Sequence, residues 1–407
     1  MKAIYLDNNA TTPLDPRVLD AMLPYLAEHF GNAASKSHRF GCIAEEAVQK
    51  ARGQVAQLLG VTAEEVIWTS GATESCNLAI KGIAHRYREK GRHIVTQVTE
   101  HRAVLDTCKH LEDQGFRVTY LPVDVYGLVD LDRLQDAMTE DTILVSIMSA
   151  NNEIGTVQPI AEIGKLCKDR GVFFHTDATQ AFGKIPLSAG QRSEVADGMG
   201  IDLLSASGHK MYGPKGAGIL YLRRKNPRVL IEANIHGGGH ERGLRSGTLN
   251  VPAIVGFGAA AEICMKQMEG EAQRLGRLRD KLFSGLEARL EDIVLHGPPP
   301  RGHAAQRLPN TANISFRHVE SESLMSTLED IAVSSGSACT SATPGPSHVL
   351  KALGIGDELI YSSIRFSLGR FNTEEEIEQT IERIAETVRS LRGEIGAESS
   401  TLRLPSA

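Results

Sequence analysis

Five short apolar runs in this chain each break off into polar or glycine-rich punctuation: "EVIWTSGATES", "HIVTQVTEH", "ILVSIMSANNE", "VFFHTDATQ" and "DLLSASGHK". Each run has the length of a buried strand, and each tail reads as a loop at that strand's end. Helical patterns lie between them, such as "AEEAVQKARGQVAQLLG" and "IAEIGKLCKDRG", the second stopped by Gly171. Strands alternating with helices predict an α/β fold with a largely parallel sheet covered on both faces.

The alternation fades near residue 255. Beyond it Met268, Leu275, Leu278, Leu282, Leu286 and Leu290 recur at three-, four- and seven-residue spacings, which predicts one long amphipathic helix linking two domains. The prolines of "HGPPPRGHAAQRLPN" then require a loop. A final helix should open on a capping box, Thr373 to Glu376, and stack Ile377, Ile381, Ile384, Val388 and Leu391 against a smaller domain. A chain of 407 residues exceeds one comfortable core. The expected division is a large domain over 15–258 and a small one made of 1–14 with 259–407.

Composition narrows the partners. Charged residues at 23% and a net charge of -6 give no global pull toward nucleic acid. No run is long enough to span a bilayer, and "MKAIYLDNNATTPLD" has no apolar core of signal-peptide length, so a cytoplasmic address without membrane contact is expected. The six cysteines lie far apart with no C-x-x-C pair, which reads as mostly buried small hydrophobes rather than a disulfide scaffold.

An open α/β sheet binds ligands beyond the carboxyl ends of its strands, so the loops there hold the candidates. In "TSGATES", backbone N–H groups and the Thr73 hydroxyl could cup a phosphate at a helix start; a capped glycine turn would look the same. "HTDATQ" sets Asp177 and Gln180 just after Val172, Phe173 and Phe174. A carboxylate there needs a cation or a donor, unless it simply caps the next helix. His101 follows another strand and alone would be a satisfied polar group. In "SASGHKMYGPKGAG", Lys210 is preceded by Ser207 and His209, both potential anion donors. A lysine sunk among such loops is desolvated, which lowers its pKa and frees its amine for a Schiff base. A phosphate cup, an aspartate, a histidine and a lysine are together what pyridoxal phosphate requires.

The motifs "YLDNNATTP", "FGNAASKSHRFG", "SGATES", "TEHRAVLDTC", "ANNEIGTVQPI", "HTDATQAFGK", "SGHKMYGPKG", "GGGHERGLRSGT", "SSGSACTSA" and "SSIRFSLGRF" run in order through nearly the whole chain. With them the chain resembles the cysteine desulfurases of the NifS/IscS type, a branch of the class V aminotransferase family. The resemblance implies a fold-type I transferase with a mostly parallel seven-stranded sheet and a smaller α+β domain. It implies pyridoxal 5'-phosphate held through Lys210, with His101 stacked on the ring, Asp177 on the pyridine nitrogen and Gln180 on the ring hydroxyl. Ala72, Thr73, Ser207 and His209 would hold the phosphate, and Thr248 would reach the phosphate site of the neighbouring subunit in a homodimer. Asn152 and Arg365 would position the substrate. The implied reaction takes sulfur from L-cysteine, releases L-alanine and leaves a persulfide on Cys339.

Cys339 lies in "SSGSACTSATPGP", residues 334 to 346, whose glycine and serine content suits a mobile loop that carries sulfur outward. The implied acceptors are an iron-sulfur scaffold protein and components of tRNA thiolation, with Cys339 a transient ligand of a [2Fe-2S] cluster during transfer. A selenocysteine lyase or another class V enzyme uses much of the same machinery, and a non-catalytic scaffold could keep the fold. Two stretches depart from the family pattern: "SAGQRSEVADGMG", expected as a surface excursion, and the tail "GEIGAESSTLRLPSA".

Overall fold

The alternating strands and helices form a seven-stranded sheet in the computed structural model, which describes residues 3–187, 198–300, 302, 306–335 and 345–393. Cys339, most of the 188–200 stretch and the tail beyond 393 lie outside the described residues. After a short β1 (Ile4–Tyr5), the sheet is built from β2 (Val66–Thr69), β3 (His93–Gln97), β4 (Arg117–Leu121), β5 (Thr142–Ser146), β6 (Phe173–Asp177), β7 (Leu203–Ser207) and β8 (Gly218–Leu222). Their order is β2-β8-β7-β6-β5-β3-β4. The pairs from β7 across to β4 are parallel, whereas β8 runs antiparallel to both neighbours.

The apolar runs are explained by burial on both faces. Trp68, Val95, Val145, Leu204 and Tyr221 point into one core, and Ile67, Ile94, Leu144, Leu203 and Leu220, each one residue away, point into another. Helices α1 (Pro16–Ala27), α2 (Arg39–Leu59), α3 (Ala72–Arg86), α4 (Arg102–Glu112), α5 (Leu131–Ala137) and α6 (Ile160–Arg170) accompany the sheet. The residues Val48, Val55, Ile163 and Cys167 of α2 and α6 fill the first core, and Cys76, Ile80, Val104 and Leu111 of α3 and α4 fill the second. Gly171 ends α6 in the left-handed conformation, φ 65°, as its place in the sequence predicts.

The long helix α7 (Val251–Glu287) begins well before its leucine stripe. Its first half packs into the first core through Val251, Ile254 and Phe257 and through small residues that let helices approach closely: a Cβ on Gly258 would lie 2.6 Å from Ala51, and one on Gly256 2.5 Å from the Met22 sulfur. Its second half gives Leu275, Leu278, Leu282 and Leu286 to a separate core containing Ile314, Phe316, Phe366, Ile377, Ile381 and Val388. One helix therefore crosses from the first core to this one.

Around that core lie β9 (Ile293–His296), β10 (Thr311–Phe316), β11 (Ile331–Ala332), β12 (Ser334–Ser335) and β13 (Ser363–Ser367), with β12-β13-β10-β9 forming an antiparallel sheet and β11 pairing with β1. The helices here are α8 (Ser321–Thr327), α9 (His348–Ala352), α10 (Asp357–Tyr361) and α11 (Glu374–Leu391). The capping box at the start of α11 is formed, with Thr373 Oγ1 accepting from the Glu376 N–H at 3.2 Å and Glu376 accepting from the Thr373 N–H at 3.3 Å. The chain's first residues stitch the two regions together. The Asn8 N–H donates to the Ser367 carbonyl, and the Thr12 N–H donates to the His209 carbonyl beyond β7.

Candidate active site

The strand ends of the large sheet and one edge of the small one enclose a cavity of about 620 Å³. Ala72, Thr73, His101, Asn152, Asp177, Gln180, Ser207, His209, Lys210 and Arg365 all line it. Thr248 does not; it is exposed just ahead of α7. Cys339 lies outside the described residues.

Gly71 caps α3, so the backbone N–H groups of its first turn are left for a ligand, beside the hydroxyls of Thr73 and Ser207. This approach depends on glycine: a Cβ on Gly218 of β8 would sit 2.4 Å from the Gly71 Cα. His209 completes that end of the cavity. Burial first, and the Lys210 charge second, lower its pKa to about 4, so it is a neutral imidazole near pH 7, with Nδ1 3.1 Å from the Thr11 hydroxyl.

Asp177 ends β6 and caps a turn rather than a helix, its Oδ1 accepting from the Thr179 N–H at 2.9 Å and the Thr179 hydroxyl at 2.5 Å. His101 caps α4. Its Nδ1 accepts from the Ala103 N–H at 3.1 Å, which leaves the proton of the neutral ring on Nε2.

Lys210 lies in the turn after β7 and donates from Nζ to the carbonyls of Asn9 at 2.7 Å and Ala10 at 2.5 Å. Desolvation first and the Arg365 guanidinium second lower its pKa to about 8, against the opposing pull of Asp7 and Asp177. Arg365, on β13, donates from Nη2 to Asp7 Oδ1 at 2.7 Å and Ser334 Oγ at 3.0 Å, and from Nη1 to the Asn152 carbonyl at 3.3 Å. Its Nε is buried without a hydrogen-bond partner among the described residues, a donor waiting for an acceptor.

Several contributors were not singled out from the sequence. Asn9 was quoted inside "YLDNNATTP" without a role, yet its carbonyl accepts from both Lys210 and Gln180, at 2.7 and 2.9 Å. Gln180 is thus engaged before any ligand arrives, and its Oε1 accepts from Lys184 at 2.7 Å. Glu100, fully buried beside His101, accepts from the Met148 N–H at 2.6 Å and from Gln97 at 2.9 Å. Burial raises its pKa well above the ordinary carboxyl value. The cysteines match their expected roles: Cys76, Cys108, Cys167 and Cys264 are buried, and burial pushes the thiols of Cys108 and Cys264 up to about 12 and about 11. Cys42 is exposed. Among the described residues no group of three or more His, Cys, Asp or Glu side chains could hold a metal ion.

These residues fit pyridoxal phosphate by the chemistry of their donors. A helix start with hydroxyls suits a phosphate, a lysine with a lowered pKa suits an aldehyde, and a carboxylate at a buried strand end suits a protonated pyridine nitrogen. A family model described as aminotransferase class-V matches residues 4–380, and the chain belongs to that family. Cysteine desulfurase IscS from Anaeromyxobacter sp. (strain Fw109-5) is 57% identical over 389 residues, covering 96% of this chain and 93% of its own. The protein of the same name from Salmonella typhi is 56% identical over 391 residues, again with 96% and 93% covered. A solved NifS-like protein is similar with a TM-score of 0.86 at 40% identity, covering 95% of this chain and 100% of that one.

Proposed function

We propose that the chain is a pyridoxal phosphate-dependent cysteine desulfurase, taking sulfur from L-cysteine, releasing L-alanine and passing the sulfur to acceptors. The observation that carries this is one cavity holding Lys210, Asp177, His101 and Arg365 in a chain 56% identical to named cysteine desulfurases along 96% of its length. Bound pyridoxal phosphate supplies an electron sink. The protein supplies everything else.

Ala72, Thr73, Ser207 and His209 would hold the phosphate of bound pyridoxal phosphate, Asp177 would meet its pyridine nitrogen, Gln180 its ring hydroxyl, and His101 would stand against its ring. Lys210 would carry the cofactor, and its amine, with the lowered pKa, would take the proton from the substrate's α carbon. Arg365 grips the substrate carboxylate beside Asn152, and its unpartnered Nε supports this role. The Cys339 thiolate then attacks the substrate sulfur. An S–S bond forms as the C–S bond breaks, the electron pair stays with the alanine fragment, and that fragment is protonated and leaves.

On this reading the large domain is 15–258, and the small domain, 1–14 with 259–407, carries Cys339. The enzyme works in the cytoplasm, delivering sulfur to an iron-sulfur scaffold protein and other acceptors, with Cys339 touching the [2Fe-2S] cargo during transfer. It acts as a homodimer in which Thr248 reaches the partner's phosphate site. Two features support the dimer. Leu23, Leu26 and Phe30 are 51%, 59% and 69% exposed. Leu23 and Leu26 lie on α1 and Phe30 just beyond its end; α1 runs antiparallel to α7, with Arg17 at Gln267 and Met22 at Gly256, toward the α7 start that follows Thr248.

Incubation with pyridoxal phosphate and L-cysteine tests the function. We expect matching yields of alanine and, with a reductant present, sulfide. Cys339→Ser should keep the cofactor's colour and lose sulfide release. Full activity in that variant would remove Cys339 from the reaction.

A further inference from the structure

Lys184 has no role in the scheme above, yet it is a further ammonium built into this region beside Lys210 and Lys215. It lies behind the cavity, lining a small void with Tyr212, Glu271 and Asn310. Its Nζ donates to Gln180 Oε1 at 2.7 Å and to Asn9 Oδ1 at 3.3 Å. The Asn9 carbonyl accepts from Gln180 Nε2 at 2.9 Å and from Lys210 Nζ at 2.7 Å. The two lysines are therefore joined through a single asparagine, one on its side-chain oxygen and one on its backbone oxygen.

That arrangement determines directions. An ammonium can only donate and a carbonyl can only accept, so Gln180 must turn its oxygen to Lys184 and its NH₂ to Asn9. Asn9 is fixed likewise: its Oδ1 takes Lys184 and Asn310 Nδ2, and its Nδ2 donates to Thr311 Oγ1 at 2.9 Å and the Asn152 carbonyl at 3.0 Å. One of the two acceptors that hold the Lys210 amine, the Asn9 carbonyl, thus belongs to a residue that Lys184 also ties down. Charge adds a second link. Lys184 faces the cations Lys210 and Arg365 and, from α7, Glu271 and Cys264. Lys210 in turn faces Arg365 and Lys215 against Asp7 and Asp177, and His209 feels all three lysines. Burial and then Lys210 lower the Lys184 pKa to about 7, so the two amines share fewer than two protons above neutral pH.

We propose that Lys184 is a positioning residue for Lys210: through Asn9 and Gln180 it orders the Asn9 carbonyl to which that amine donates, and in its charged form it favours the amine's unprotonated form. The proposal rests on the reading of Lys210 as the cofactor lysine. The test titrates the visible band of the bound cofactor in the holoenzyme between about pH 6 and about pH 10 for wild type, Lys184→Met and Lys184→Arg. Methionine removes the repelling charge, so its midpoint should be the highest. Arginine stays charged throughout, so its midpoint should be the lowest, with a total spread of about one pH unit. The pH profile of kcat should move in the same order.

Coincident midpoints, or the reverse order, would overturn the proposal and leave Lys184 a structural residue whose loss shows only in thermal stability. Should the methionine variant fail to fold, the arginine variant decides alone: a midpoint below wild type supports the proposal, and one equal or higher overturns it. A wild-type holoenzyme whose cofactor maps to some residue other than Lys210 would defeat the parent reading instead, and this proposal with it.

Discussion

Lys210 shows how a residue's surroundings prepare its chemistry. Its amine is neutral only above its pKa, and burial with Arg365 brings that value down to about 8. Because the neutral amine is the nucleophile, the rate of cofactor uptake by cofactor-free protein should climb as pH rises through about 8 and then level off. A rate independent of pH across that window would contradict the assignment. Arg365 offers a second test. Its fork is already used by Asp7, Ser334 and Asn152, and lysine cannot reproduce it. Arg365→Lys should raise KM for cysteine by about tenfold or more, the worth of one charge-assisted hydrogen bond, with a smaller change in kcat. At this scale the sequence was informative where a side chain stands just past a strand: Asp177, His101 and Lys210 could be picked out by that rule. Asn9 and Lys184 could not, because their importance comes from bonds between residues 175 positions apart in the chain.

Elements position these residues, and their legibility followed the physics of burial. Strands covered on both faces are written as continuous apolar runs, so β2, β3, β5, β6 and β7 stand out. β8, "GILYL", starts only at the last glycine of the "YGPKGAG" stretch and is overshadowed by it, and β4 is an edge strand of mostly half-exposed residues. The first half of α7 is less legible because glycines and alanines are interleaved with Val251, Ile254 and Phe257 at its contacts, while its leucine half is plain. The glycine that matters most joins β8 to the start of α3. Gly218→Ala would put a carbon 2.4 Å from the Gly71 Cα, where backbone has to give way. The start of α3 should shift, and affinity for pyridoxal phosphate should fall by about tenfold or more, since positions displaced even slightly lose aligned hydrogen bonds. Equilibrium titration of the cofactor's absorbance checks this; unchanged affinity would mean the helix start does not hold the phosphate.

At the scale of the whole molecule, the chain's first residues and its last strand meet inside the large sheet's cavity. Asp7 takes Arg365 from β13, Asn9 takes Lys210 from the β7 turn, and the Asn8 N–H pairs with the Ser367 carbonyl. Alternating strands and helices announced the large sheet, and the leucine stripe announced the second core. The closing of the two around one lysine was legible only through motifs scattered across the whole sequence. The most direct measurement of that convergence is borohydride reduction of the purified holoenzyme followed by peptide mass mapping. A pyridoxyl group on the peptide containing Lys210 is the predicted result; a reduced adduct on Lys184 or any other lysine, with Lys210 unmodified, would contradict it.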